Sequence, residues 1–259
     1  MKKIEFFSVI NGVTENFPVD HARNFKFKWV ENARQDYKQV AEKLKGTKYN
    51  HLFRCPGIFD LMNTGYIVPM PWDLTIETKG DGKHFAWNYP DEALKQTLKA
   101  ELISAHLPET IAKHLPKPPG TLESIVKLHT PWHIVAPKGV KFLMIPIPYG
   151  DEQYFENVTG MLDPSISSEV HIQLRWKVLM GRQTIKAGTP MAQLIPISED
   201  KFDLDVRDAT KKDLEWYEKR LYLNNCTMVM KHSLVQQAYW KFWETKWQLK
   251  NIINRFKNK

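Results

Sequence analysis

A chain of 259 residues, 42% hydrophobic and 25% charged, carries enough apolar material for a sizeable core, as one large domain or as a domain with appendages. Only two cysteines, Cys55 and Cys226, are present, which excludes a disulfide scaffold and a cysteine zinc site, suits a reducing compartment, and reads as two buried or partly buried thiols. The formal charge of +8 is uneven: residues 211–259 hold 11 Lys and Arg against 4 Asp and Glu, so +7 of it belongs to the tail.

The opening MKKIEFFSVINGV contains Glu5 and Asn11 and lacks a sustained apolar core, so no secretory leader is expected. No apolar run reaches membrane-spanning length, and a soluble intracellular protein is the expectation. IEFFSVI reads as a strand, Asn11-Gly12 as a turn and VTENFPVD as the returning strand of a hairpin. Over residues 29–45, Ala33, Tyr37, Val40 and Leu44 recur at helical spacing before Gly46, which predicts a helix with a glycine cap.

From Cys55 the character changes to short apolar runs punctuated by Pro, Gly and Asn. Tyr66 to Pro69 and Trp72 to Thr78 read as strands, GDG at 80–82 as a turn, and His84 to Trp87 as the next strand. Pro69 and Pro71 favour an edge strand or a bulge there. Residues 91–114 mix helix formers with a break at Pro108, which fits a short helix or an irregular loop. LESIVKLHTPWHIVAPKGVKFLMIPIP then gives two strands around the PKG turn at 137–139.

Residues 158–197, with VTGMLDPSISSEVHIQLRW followed by QTIKAGTPMAQLIPI, read as one β-turn-β unit. A turn at Asp163-Pro164 leads into an alternating strand, a turn centred on Gly181 returns the chain, and Ala187-Gly188 opens a final apolar strand. SEDKFDLDVRDAT is acidic and polar and reads as a surface excursion, and two helices follow, the second long and aromatic. The expected fold is mainly β: a distorted β-sandwich or β-clip, jelly-roll-like, with an N-terminal helix and a C-terminal helical extension. Residues 1–50 form the hairpin and helix, 51–200 the sandwich core, and 201–259 the basic aromatic extension.

Gly160-Met161-Leu162-Asp163 and, further on, Gly188-Thr189-Pro190-Met191-Ala192-Gln193 resemble the third and fourth motifs of the trimeric dUTPase family, with VHIQLRW as the strand between. The resemblance implies a catalytic role for Asp163, orienting an attacking water and the sugar 3′-hydroxyl, and a ligand contact for Gln193. Set beside this, an Asp before Pro164 is also an ordinary turn residue, and a Gln in an apolar strand also serves an edge or inter-subunit hydrogen bond. The chain departs from the family pattern at three places. Ile166 stands near the position of the sugar-packing Tyr, Pro146-Ile147-Pro148 replaces the Pro-Arg-Ser that holds the phosphate chain, and the glycine-rich fifth motif has no counterpart between Ser198 and Lys259. A phosphate chain requires preorganised donors, which Ile147 and Pro148 do not supply.

NTGYIVPMPWDLTI, WHIVAPKG, GMLD and AGTPMAQLIP together also resemble an uncharacterised family of β-sandwich proteins encoded by phages and bacteria, over about residues 50–200. That resemblance implies a fold and a phage association and no activity.

Other chemistry is sparse. His129 and His133 lie on one face of a strand about 13 Å apart, too far to share a metal. His171 belongs to another strand that can approach them, and none of the three has a carboxylate at the H-x-D/E offset, so neither metal nor cofactor is expected. There is no P-loop and no G-x-S-x-G, and Ser165, Ser167 and Ser168 have no His beside them in sequence. In the tail, Trp240, Trp243 and Trp247 with Phe242 form an aromatic arc amid Lys and Arg, which reads as an interface for the chain's own sandwich, a neighbouring subunit or an anionic surface.

Taken together, the residues point to a non-enzymatic structural or interaction protein, phage-associated through its resemblance, forming a homo-oligomer or larger assembly through strand edges and the aromatic helix. The alternatives are a dUTPase-like nucleotide-binding or nucleoside triphosphate-hydrolysing protein using Asp163 and Gln193, and a nucleic-acid-binding protein working through residues 211–259.

Overall fold

Ile4 and Phe6 alternate onto one side of strand β1 (Lys2–Ser8) and are fully buried, while Phe7 on the other side is buried too. A strand covered on both faces belongs in the interior of a sheet. In the computed structural model β1 lies between β14 (Phe202–Asp208), its parallel partner, and β7 (Ile125–Val135), its antiparallel one. The structure describes residues 2–44, 52, 55–88, 102–110 and 114–219. It divides into two units, Met1–Asp208 and Ala209–Lys259.

The expected N-terminal hairpin is therefore corrected. Gly12, at φ 82°, leads into the single helical turn α1 (Val13–Asn16) instead of a returning strand. The burial of Ile4, Phe6 and Phe7 is satisfied by long-range partners that a local turn cannot offer.

The first sheet runs β14-β1-β7, then β11 (Glu169–Trp176) and β9 (Phe155–Asn157), with β6 (Ile103–His106) alongside the first half of β7. The second sheet runs β10 (Gly160–Leu162), β8 (Lys141–Ile145), β13 (Pro190–Ile197), β3 (Tyr66–Pro69) and β2 (Asp20–His21). The third joins β12 (Met180–Ile185), β4 (Leu74–Lys79) and β5 (Phe85–Asn88). One core fills the space among all three: Phe6, Leu128, Trp132, Ile172 and Trp176 from the first, Tyr66, Val68, Phe142 and Leu194 from the second, Leu74, Ile76 and Ile185 from the third. The fold is mainly β and sandwich-like, as the strand pattern leads one to expect.

Three further expectations change. The unit over residues 158–197 is not one hairpin-like piece, since β11, β12 and β13 belong to three different sheets, and Gly181, at φ 109°, sits inside β12. SEDKFDLDVRDAT is no surface excursion: it contains β14, aligned along the whole of β1. Within residues 91–114, Ile103–His106 is a strand, β6, where a helix or loop is expected. The expectation of a buried or partly buried Cys55 thiol is corrected as well, since Cys55 is exposed, and Cys226 lies outside the described residues.

Helix α2 (Lys28–Lys43) forms where the periodicity predicts one. Helix α3 (Pro56–Asn63) begins with Pro in its first turn, where the missing N–H costs nothing. Met62 of α3 packs with Ala22, Phe27 and Ile67 in a second, smaller cluster on the far side of β3. In the second unit residues 211–219 are helical. Thr210 and Asp213 cap that helix reciprocally: the Thr hydroxyl accepts from the Asp213 N–H at 3.3 Å and the Asp carboxylate accepts from the Thr210 N–H at 2.8 Å. Among the described residues no helix is long and apolar enough to cross a membrane.

Candidate functional site

Asp163 follows β10 and closes its turn. One carboxylate oxygen accepts the Ser165 N–H at 3.0 Å and the Ser165 hydroxyl at 2.6 Å, and the other lies 3.2 Å from Lys141 Nζ. The Ser165 hydroxyl and the Lys141 ammonium hold the carboxyl below the usual carboxylate range. The Asp163 carbonyl accepts the N–H groups of Ile166 and Ser167, completing a tight turn.

Gln193 is fully buried in mid-strand. Its Nε2 donates to the carbonyls of Leu61 at 2.7 Å and Thr64 at 2.5 Å at the C-terminal end of α3, where the Leu61 carbonyl also accepts the Thr64 N–H at 3.3 Å. The side chain ties α3 to the second sheet. Strand β8 measures the gap between the two motif residues: Lys141 holds Asp163, while Ile145 pairs with Gln193. Four residues of strand separate these points by about 13 Å, so Asp163 and Gln193 do not share a site. Ile166 is 74% exposed. Trp240, Phe242, Trp243 and Trp247 lie outside the described residues.

Pro146 and Ile147 line a cavity of about 430 Å³ together with Thr189, Pro190 and Met191 at the start of β13. Phe27, Phe155 and Met191 give it apolar walls, and the segment from Tyr149 to Glu152 forms part of its rim. A cavity of this size and mixed lining suits a small molecule.

Two features mark it out. Asn157, on β9, is 5% exposed and lines the cavity, and its Nδ2 has no hydrogen-bond partner among the described residues. Leaving a buried amide unsatisfied costs about 1–3 kcal/mol. Tyr149 has φ 56° and is the one non-glycine residue in the left-handed region among the described residues. It is held there by Trp29, whose Nε1 donates to the Tyr149 carbonyl at 2.8 Å and whose ring meets the Tyr149 ring edge-on at 6.2 Å. Strained backbone of this kind concentrates at ligand-handling loops.

The charges at the cavity disfavour an anion. Lys177 is paired with Glu156 at 3.1 Å, which leaves Lys26 facing Asp151 and Glu152. Burial, reinforced by Asp151, pushes the Glu152 carboxyl up.

The second cluster of chemistry is on the outer face of the first sheet. The register sets His171 opposite His129, with ring centroids 4.7 Å apart. Ser104 Oγ lies 2.7 Å from His129 Nε2, and His171 Nε2 lies 2.9 Å from Glu169. Burial first, then His171 and Lys127, push His129 down to about 4. A base that weak does little to activate a serine at neutral pH, so the Ser104–His129 pair is no poised nucleophile. His133 stacks on Phe7 with centroids 4.9 Å apart and reaches Ser168 Oγ at 3.1 Å. Among the described residues no group of three or more His, Cys, Asp or Glu is arranged to hold a metal ion.

Sequence reading misses Asn157, Tyr149 and Phe27 because none belongs to a motif. The signal present in the sequence is PYG at 148–150, a turn that begins at the last residue of Pro146-Ile147-Pro148. Compared with known proteins, the chain matches no family model, no curated protein and no solved structure.

Proposed function

We propose that this chain is a non-enzymatic interaction protein whose ligand is a small, uncharged, part-apolar molecule received in the cavity at Asn157. The observation that supports this reading best is the buried Asn157 Nδ2, without a partner among the described residues, in a space of about 430 Å³ with phenylalanine walls. A side-chain amide both donates and accepts, so it matches a ring or amide that presents a carbonyl. The nucleobase of a deoxynucleoside has that chemistry and that size, and the dUTPase resemblance favours it. The phosphate chain is excluded from the proposal, because Asp151 and Glu152 repel it and Ile147 stands where an arginine would hold it. Binding without hydrolysis follows, since Asp163 and Gln193 are both engaged in holding the fold.

The test is thermal unfolding of the full chain with each of the four deoxynucleosides and the corresponding triphosphates with magnesium, at matched ionic strength. At least one nucleoside is expected to raise Tm with a shift that grows with concentration, the triphosphate to add nothing, and Asn157→Ala to abolish the response. Absence of a shift with every nucleoside would remove the nucleobase reading, and turnover of a triphosphate would remove the non-enzymatic one.

A second reading, assembly with other protein copies, is favoured by a row of apolar side chains on the outer side of the second sheet. Met161, Leu143 and Ile195 stand in register across β10, β8 and β13, with Met161 56% exposed on the edge strand. Light scattering of the wild type and of Met161→Glu reports it: a mass that falls in the variant supports assembly there, and a monomer in both cases removes it.

A further inference from the structure

Buried cations are ordinarily paired, because taking an unpaired charge out of water costs several kcal/mol. On the outer face of the first sheet two cationic side chains break that rule. Arg175 is 5% exposed; its Nη2 donates to the carbonyls of Leu115 and Pro116 at 3.4 and 3.1 Å, and its Nη1 is out of water with no partner among the described residues. Glu156 stands directly across from Arg175 in the ladder, but its carboxylate is engaged by Lys177. Lys127, half-buried on β7, makes no ion pair among the described residues.

The ladder brings these groups together. Lys127 pairs with Gln173 on β11, so Arg175 is its diagonal neighbour, roughly 7–8 Å away. On the other side Lys127 pairs with Ser104 of β6, and His106 is two residues further along that strand. His129 and His171 continue the row as ring nitrogens, and two carboxylates border it: Glu156, paired with Lys177, and Glu169, which lies 2.9 Å from His171 and also acts on Lys127. Burial lowers Lys127 against the opposing pull of Glu169, and burial with Lys127 and His171 lowers His106.

We propose that this patch binds a small oxyanion of phosphate type, held between Lys127 and Arg175 with Ser104 and His106 as further donors. Two cations suit a dianion, and the guanidinium fork and ammonium together reach more oxygens than a carboxylate offers. The site is separate from the cavity at Asn157, and it stands whether or not that cavity takes a nucleobase.

The probe is inorganic phosphate, measured by equilibrium dialysis with the full chain against chloride at constant ionic strength. One saturable site is expected, weakened about tenfold or more by Lys127→Met and less by His106→Asn, and unaffected by Asn157→Ala. Both substituted side chains are only partly buried, so at least one variant should fold; circular dichroism identifies which. Absence of saturable binding, or wild-type affinity in either folded variant, overturns the proposal.

Discussion

Single residues carry opposite duties in this protein, and the differences are measurable. Gly65, at φ 77°, passes so close to β13 that a Cβ there would run into the Leu194 carbonyl, whereas Gly139, at φ 89°, faces open space. Gly65→Ala should therefore cost on the order of 3 kcal/mol or more in urea unfolding, against about 1 kcal/mol for Gly139→Ala. Equal losses would show that backbone conformation alone sets the penalty. His129 gives a pH dependence whose sign follows from burial. Its folded value of about 4 lies below the ordinary histidine value of about 6.5, so between those limits the unfolded chain holds more proton. Its contribution to stability is complete above about pH 6.5 and is lost as pH falls toward 4, by an amount on the order of 2 kcal/mol for a half-buried ring. His129→Asn should flatten the wild-type stability profile across that window, and an unchanged difference between the two proteins would contradict the buried, neutral assignment.

At the scale of elements, long-range pairing dominates. β1 is interior and bonds to strands far along the chain, Lys2 opposite Phe202 and Glu5 opposite Val135. Deleting residues 1–8 should abolish cooperative unfolding, whereas loss of an appended hairpin would leave a folded sandwich; far-ultraviolet circular dichroism and a melt distinguish the two. Gln193 makes a similar link, and Gln193→Leu should cost about 1–3 kcal/mol and accelerate amide exchange in α3, because the Thr64 carbonyl loses its side-chain donor and the Leu61 carbonyl keeps only the Thr64 N–H. Unchanged exchange in α3 would mean that its apolar contacts alone hold it.

The same elements show what the sequence made legible. The strands at Tyr66–Pro69 and Phe85–Asn88, the pair around PKG and the helix at Lys28–Lys43 follow from periodicity and punctuation, which are local. The parallel β1–β14 pair, the strand within ELISAH and the scattering of β11, β12 and β13 over three sheets depend on partners that local pattern does not name. The cavity was not legible: its lining segments, Pro146-Ile147 and Thr189-Met191, come together only through sheet pairing, and the residue giving it a donor, Asn157, has no motif around it. Asp163 and Gln193 looked chemical because a carboxylate and an amide serve turns and helix ends as readily as ligands.

For the whole molecule, three sheets around one core leave a cavity where strand ends from the first and second sheets meet, rimmed by a strained tyrosine and by Asp151 and Glu152. The occupant proposed for it is a neutral ring. The most direct measurement is a crystal structure of the full chain soaked with deoxyuridine and, separately, with the deoxynucleoside that stabilises it most. The expected result is a base lodged between Phe27 and Phe155 with a ring carbonyl at about 2.9 Å from Asn157 Nδ2. A cavity left empty at saturating nucleoside, or a nucleoside bound elsewhere with Asn157 untouched, would contradict it.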